Sequence, residues 1–399
     1  MRFHCEQERL TAALKAVLPA VPSRPLVVTD AGILLSGADG HLEVAATNRE
    51  IAIQCRVGAH VAQPGEVVLP ARTITDLVAL MDVERVDVAL DDKNVLELRC
   101  RRTQAHVRGW GVDEFPVLPE PAGEPVARME ADALRDGIGR VIYAASPDPT
   151  RTSLCGTLMQ FAGEQVTLVA ADGFRLALCT VPLVAPVVEP FDLVVPTQGM
   201  RTLQKLLQKN RNDDEVSIAL SEGRRHVIFE VGDVVIGCQL GGKYPDYHAI
   251  VPQKWDVRAV ADRGALLAAC RTARALSEGS LRIEFAPPGQ IVVSSTSVEA
   301  GEGKTELEAT VEGACFEPAE RVCPATVGSV EGVHPEPVAG AEAGVMLNVR
   351  YLADAVTAVA GKQVAITASI PDGGQYSPVL VQPVNVEGQL GLVMPMQSR

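Results

Sequence analysis

The chain has 399 residues, a formal net charge of −14 and 47% hydrophobic residues, of which few are aromatic. That is enough for two to four domains with real cores built of Val, Leu, Ala and Ile. The acidity argues against a plain nucleic-acid binder. No apolar run approaches the ~18 residues of a membrane span, and no signal peptide opens the chain. The nine cysteines (5, 55, 100, 155, 179, 238, 270, 315 and 323) include no CxxC pair. They predict reduced core thiols in a cytoplasmic protein, with neither a zinc site nor a disulfide frame.

A short strand from residue 3 leads into a helix over 6–20, striped by Leu10, Leu14, Val17 and Leu18. Strands are expected around 26–35, 41–46 and 50–57. A second helix over 70–81 opens at Pro70 and carries Ile74, Leu77, Val78 and Met81. Strands near 85–90, 94–99 and 105–109 follow, then Phe115-Pro116-Val117-Leu118-Pro119 and a Pro/Gly-rich linker to Pro125.

The programme then restarts. Met129 begins a strand, and Leu134, Ile138, Val141 and Ile142 stripe a helix. Val166 to Cys179 (VTLVAADGFRLALC) reads as two buried strands around an Asp172-Gly173 turn. Val44 to Ile53 has the same shape, with Asn48-Arg49 at the turn, and Val292 opens a looser third copy. Pro196 precedes a helix with Met200, Leu203, Leu206 and Leu207. The third round carries Leu266, Leu267, Cys270 and Ala273 on one helix and Tyr351, Leu352, Ala355, Val356 and Val359 on the next. The spacings Leu10 to Leu134, Leu134 to Leu266 and Pro70 to Pro196 set a long threefold repeat. The third copy is longer, and its excess at 312–345, rich in Gly, Pro, Ala and Glu, reads as an inserted mobile loop.

Little in the chain argues for chemistry. Gly301-Glu302-Gly303-Lys304-Thr305 suggests a phosphate loop, but Val298 stands where that pattern needs glycine, and a strand-like alternation follows. The seven histidines show no i, i+4 or HExxH spacing, so no metal is expected, and no cofactor is called for. Asp172 reads as a turn residue, not a catalytic acid. Charge placement says more. The six helical segments hold 14 Lys/Arg against 7 Asp/Glu, whereas the whole chain holds 36 against 50. Basic helices in an acidic protein suit a shared polyanion, with repulsion elsewhere. Arg201, Lys205, Lys209 and Arg211 are the densest case. No interleaved aromatic or helix-turn-helix pattern points to base reading, so backbone contact is expected. The apolar end Leu392, Val393, Met394, Pro395, Met396 reads as a final strand that doubles as a groove wall.

Taken together, Arg24-Pro25, VLPAR (68–72), FPVLP (115–119), AADGFRLAL (170–178), VPTQGM (195–200), YPDYHAIVP (244–252), LNVRYLADAV (347–356) and LVMPM (392–396) resemble the bacterial DNA polymerase III beta subunit, the sliding-clamp family, over essentially the full length. The resemblance implies an α+β fold of three clamp domains (1–122, 126–253 and 256–399), each with two helices packed on antiparallel sheets. It implies a homodimeric six-domain ring around double-stranded DNA, with no enzymatic activity. It also implies a groove that takes short peptides of the polymerase III catalytic subunit, the clamp loader, other polymerases and repair proteins. Carried over by motif, the groove uses Leu154, Gly173, Phe174, Arg175, Leu176, Pro245, Ile250, Asn348, Tyr351 and Leu392 to Met396. DNA-facing candidates are Arg24, Arg72, Arg151, Arg201 and Lys205. The subunit interface falls on Ala105, Val107, Ala275 and Leu276. Met394→Ala or Leu176→Asp is expected to weaken peptide binding with the fold intact. The alternative is a clamp paralogue serving as a decoy or drug-resistant scaffold; a nucleotide-dependent enzyme using Gly301 to Thr305 is a remoter rival.

Overall fold

The structure is a computed structural model that describes the chain except residues 26, 39, 149, 210–214, 253, 278, 287–288, 298–299, 314–343, 370–376 and 397–399. Cys315, Cys323, Arg211, Val298, the Gln397-Ser398-Arg399 end and nearly all of the expected insertion lie outside the described residues.

Among the described residues, six α-helices form where the apolar stripes place them: α1 Gln7–Val17, α2 Ala71–Ala79, α3 Ala131–Val141, α4 Thr197–Lys209, α5 Arg263–Leu276 and α6 Val349–Ala358. Each buries its stripe, for example Leu10, Leu14 and Val17 on α1 and Met200, Leu203 and Leu207 on α4. Asp262 caps α5, accepting from the Ala265 amide at 2.8 Å. Asn348 caps α6, accepting from Arg350 and Tyr351. α1 stops before the expected residue 20, because Pro19 cannot continue an α-helix and the chain tightens into a 3-10 turn at Leu18–Ala20.

Two expectations are corrected. The first strand after α1 runs Gly32–Ala38, with a 3-10 turn Val28–Ala31 ahead of it, in place of a strand over 26–35. Pro70 does not open α2. It ends a strand, Gly65–Pro70, that the pattern hid, and stands outside the helix as its N-cap. Pairing with Gly32–Ala38 decides this, since Ile33 and Leu69 lie opposite each other and both are buried.

The chain divides into two compact units. The first is Met1–Arg135, Ala162–Glu164 and Pro182–Gly241. One of its sheets has the order His60–Gln63, Arg2–Glu6, Arg85–Leu90, Val95–Cys100, Thr103–Arg108. The other runs Ala127–Glu130, Glu215–Leu220, His226–Val231, Val234–Gln239, Ile51–Gly58, His41–Thr47, Gly32–Ala38, Gly65–Pro70. This sheet joins strands of the first and second repeats through antiparallel pairing of Val234–Gln239 with Ile51–Gly58.

The second unit is Asp136–Phe161, Gln165–Val181 and Gly242–Arg399. Its sheet includes, in order, Gly156–Ala162, Gln165–Ala171, Arg175–Pro182, Gln389–Val393, Val379–Pro383, Gln363–Ala368, Val257–Asp262, Gly301–Gly313, Gln290–Ser297, Ser280–Ala286 and Gly344–Asn348. Here Arg175–Pro182 pairs antiparallel with Gln389–Val393, which pairs in turn with Val379–Pro383, so the last strand joins strands of the second repeat to those of the third. α5 and α6 pack together over a core that includes Leu266, Leu352, Ile366 and Val393. Gly301 to Thr305 lie in a strand, with Lys304 opposite Ser294, and form no strand-to-helix loop. Among the described residues no helix is long and apolar enough to cross a membrane.

Candidate functional site

The central hairpin of the second unit builds the site. Gly173 turns at φ +89°, a conformation that costs little only without a Cβ. The Asp172 carboxylate locks the turn, accepting from the Phe174 amide at 2.9 Å and the Arg175 amide at 3.0 Å. Its other oxygen takes the Arg175 Nε at 3.0 Å. On the far side, Arg175 Nη1 reaches Asp354 of α6 at 2.6 Å. The guanidinium is nearly buried and lies over two rings, 4.5 Å from the Tyr351 centroid and 5.5 Å from that of Tyr143. One buried cation therefore ties the hairpin to α6 with two carboxylates and two aromatic faces. Burial pushes the Tyr143 hydroxyl well above its ordinary value, against a downward pull from Arg175.

Above this base stands an aromatic wall. The Phe174 ring is 53% exposed and stacks toward Tyr351 at 6.3 Å between centroids. The chain end runs alongside: the Met394 amide donates to the Phe174 carbonyl and the Met396 amide to the Met346 carbonyl, both at 2.8 Å. Met394 and Pro395 are half-buried and Met396 is exposed. The result is an open apolar and aromatic surface over a satisfied polar base, suited to an apolar peptide side chain.

The structure brings Gly173, Phe174, Arg175, Tyr351 and Met394 together directly. Asn348 serves as the cap that holds α6 and so aims Tyr351. Leu176, Leu392 and Val393 are almost fully buried, with Leu176 opposite Leu392 across the strands. They form the floor beneath the wall. Leu176→Asp would bury an unpaired carboxylate there, so the expectation that it spares the fold is corrected. Leu154 is half-buried in a 3-10 turn, its amide donating to the Arg151 carbonyl at 2.8 Å. Pro245 and Ile250 are exposed on the segment that Tyr244 and Tyr247 anchor by burial. Asp354, Tyr143 and the pairing role of Asp172 were missed. Asp354 stands three residues after Tyr351, on the same helix face, and that spacing was the available signal.

Arg24, Arg72, Arg201 and Lys205 are all exposed, with Arg72 on α2 and Arg201 and Lys205 on α4. Arg151 is exposed too, but its guanidinium is engaged: Nη1 donates to the Asp172 carbonyl at 2.7 Å and the group lies 5.8 Å from the Phe174 ring. Val107 is buried and Ala105 half-buried on Thr103–Arg108, an edge strand of its sheet. Ala275 is exposed at the end of α5, and Leu276 sits so close to Gly303 that a Cβ there would meet its Cδ1 at 2.3 Å.

Comparison with known proteins places this geometry. The profile for the DNA polymerase III beta subunit, N-terminal domain, matches residues 1–119, and that for its central domain matches 128–246. The chain is 27% identical to the beta sliding clamp of Synechococcus elongatus and 23% identical to that of Bacillus subtilis, covering 100% of itself and of each relative. Among solved structures it matches the DNA polymerase sliding clamp of Bacillus subtilis at a TM-score of 0.87 and 23% identity. It matches that of Pseudomonas aeruginosa, solved with ligand, at 0.84 and 24%; both matches cover 100% of each chain.

Proposed function

We infer the working of this molecule from its family: the chain belongs to the DNA polymerase III beta subunit family, whose curated relatives are beta sliding clamps. It is a DNA sliding clamp of the three-domain clamp fold, a processivity factor and not an enzyme. DNA, a polymerase and a second copy of the chain are its partners at that level. The paralogue alternative, a decoy or drug-resistant scaffold, is not favoured.

The finer reading is our proposal. Domains span 1–122, 126–253 and 256–399, in keeping with the matched ranges. Two chains close head to tail in the bacterial cytoplasm. Arg24, Arg72, Arg201 and Lys205 face duplex DNA with sequence-independent, salt-sensitive contacts that permit sliding. The edge strand Thr103–Arg108, with Ala105 and Val107, meets the partner subunit near Ala275 and Leu276. An edge strand offers unpaired amides and carbonyls for such a junction. The polymerase III catalytic subunit, the clamp loader and repair proteins share the surface around Phe174, Tyr351 and Met394.

The single observation behind the groove is the exposed Phe174 ring beside Tyr351, set on a buried Arg175 that is already neutralised. With that cation paired, recognition falls to apolar and aromatic contact, which fits a Leu/Phe-bearing peptide. Two measurements test the reading. Light scattering across a dilution series should give the mass of two chains, and a monomer throughout would defeat the ring. Fluorescence anisotropy should show a labelled Leu/Phe-bearing peptide binding saturably, and absence of binding would defeat the groove.

A further inference from the structure

The first unit holds a histidine pair that the proposed function does not use. Arg2–Glu6 and His60–Gln63 pair antiparallel, and the register sets His4 opposite His60. Directly opposed residues project from the same face with Cβ atoms about 5 Å apart. The two imidazole rings lie 4.9 Å apart between centroids, tilted by 32°. His60 is exposed and His4 half-buried. Both line a cleft of about 600 Å³ whose other walls include Glu6, Gly40, Gly58 and Ala59. Glycines at two of these positions keep side chains out of the mouth. Strand alternation places Glu6 on the same face as His4, two residues on.

We propose that His4 and His60 form an exchangeable two-imidazole site for a borderline divalent cation of the Ni²⁺, Cu²⁺, Zn²⁺ class. Imidazole nitrogen is a preferred donor for these ions, and two imidazoles held by one strand pair are already brought together, so little ordering opposes chelation. Cys5 also borders the cleft, but it is buried and strand alternation turns its side chain to the opposite face from His4, outside the donor set. Among the described residues no group of three His, Cys, Asp or Glu could hold a metal ion. The protein therefore supplies two donors and water completes the shell, which makes the site open and reversible. Residues 4 and 60 are too far apart for any local metal motif to reveal them, and only the strand register brings them together. Once bound, the ion would bridge the edge strand His60–Gln63 to its neighbour and stabilise that edge by mass action.

Isothermal titration of the full-length protein with NiCl2 tests this, with circular dichroism checking that each variant folds. The wild type should bind one Ni²⁺ per chain and melt at a higher temperature with Ni²⁺ in millimolar excess. His60→Asn, at an exposed position, should abolish both effects, and His4→Asn should do the same. Binding should weaken on acidification, because protons compete for imidazole nitrogen. No saturable binding by the wild type would overturn the proposal, and so would unchanged binding by His60→Asn, which would put the ion at another histidine.

Discussion

At residues 48–51, and again at 172–175, a polar side chain closes a tight turn and a helix settles over the strand that follows. Asn48 Oδ1 accepts from the Glu50 and Ile51 amides, as Asp172 Oδ1 does from Phe174 and Arg175. Arg49 takes φ +74° where Gly173 takes +89°. Each following strand pairs with a strand of the next repeat: Ile51 stands opposite Cys238, and Arg175 opposite Val393. The hydrogen bonds just beyond also match, with Gln239 donating to the Glu50 carbonyl and Met394 to that of Phe174, both at 2.8 Å. The third residue of the covering helix differs. In α4 it is Gly199, where a Cβ would meet the Cys238 Sγ at 2.5 Å and the Ile51 Cγ2 at 3.5 Å. That helix drops onto the strand and seals it, and burial pushes the Cys238 thiol up to about 12. In α6 it is Tyr351, whose ring covers a charged Arg175 where the first junction has Ile51, while the helix packs on the last strand through Ala355, whose Cβ lies 3.4 Å from the place of a Cβ at Gly391. One backbone plan thus yields a closed seam in the first unit and an open aromatic site in the second, through a few side chains.

The largest way to break the second junction is Arg175→Ala. It leaves Asp172 and Asp354 without their shared cation and should cost about 3 kcal/mol, the low end for a broken buried pair, because Asp172 keeps two backbone donors. Thermal unfolding should show the loss, and an unchanged melting temperature would refute the tie between hairpin and α6. Gly199→Leu attacks the first junction instead. It should cost about 1–3 kcal/mol through overpacking against Cys238, with hydrogen exchange rising first in Val234–Gln239; tolerance would refute the close seating of α4 at Gly199. Phe174→Ala separates function from stability. Peptide affinity should fall about tenfold or more, as for a central aromatic anchor, while the melting temperature holds, and Glu50→Ala at the matching turn should change neither. The smallest effect belongs to Arg201→Glu with Lys205→Glu, which should shorten retention on circular DNA chiefly at low salt and leave folding intact. Equal retention at every salt concentration would remove α4 from the DNA-facing surface.

The helices were legible because each carries an apolar stripe of period 3.6 and its core residues lie on that stripe. The repeat and the hairpin turns were legible through Asn48 and Asp172-Gly173, where local hydrogen bonding dictates the turn whatever surrounds it. The strand Gly65–Pro70 was not legible, since Pro70 signals a helix start equally well and only pairing with Gly32–Ala38 settles the matter. Leu176 read as a groove residue through the motif it shares with Phe174, and its burial against the last strand is a long-range fact. Arg151 read as one more exposed cation, whereas its packing on Phe174 depends on a turn 21 residues away.

The sequence by itself determined the threefold repeat, the six helices and the turn chemistry, because these rest on interactions within a few residues. It also carried the family, through motifs kept in order along the whole chain. The tertiary structure alone decided which strands join across repeats, that Arg175 reaches Asp354, and that His4 faces His60. Those outcomes turn on register between distant segments, and no local pattern encodes a register.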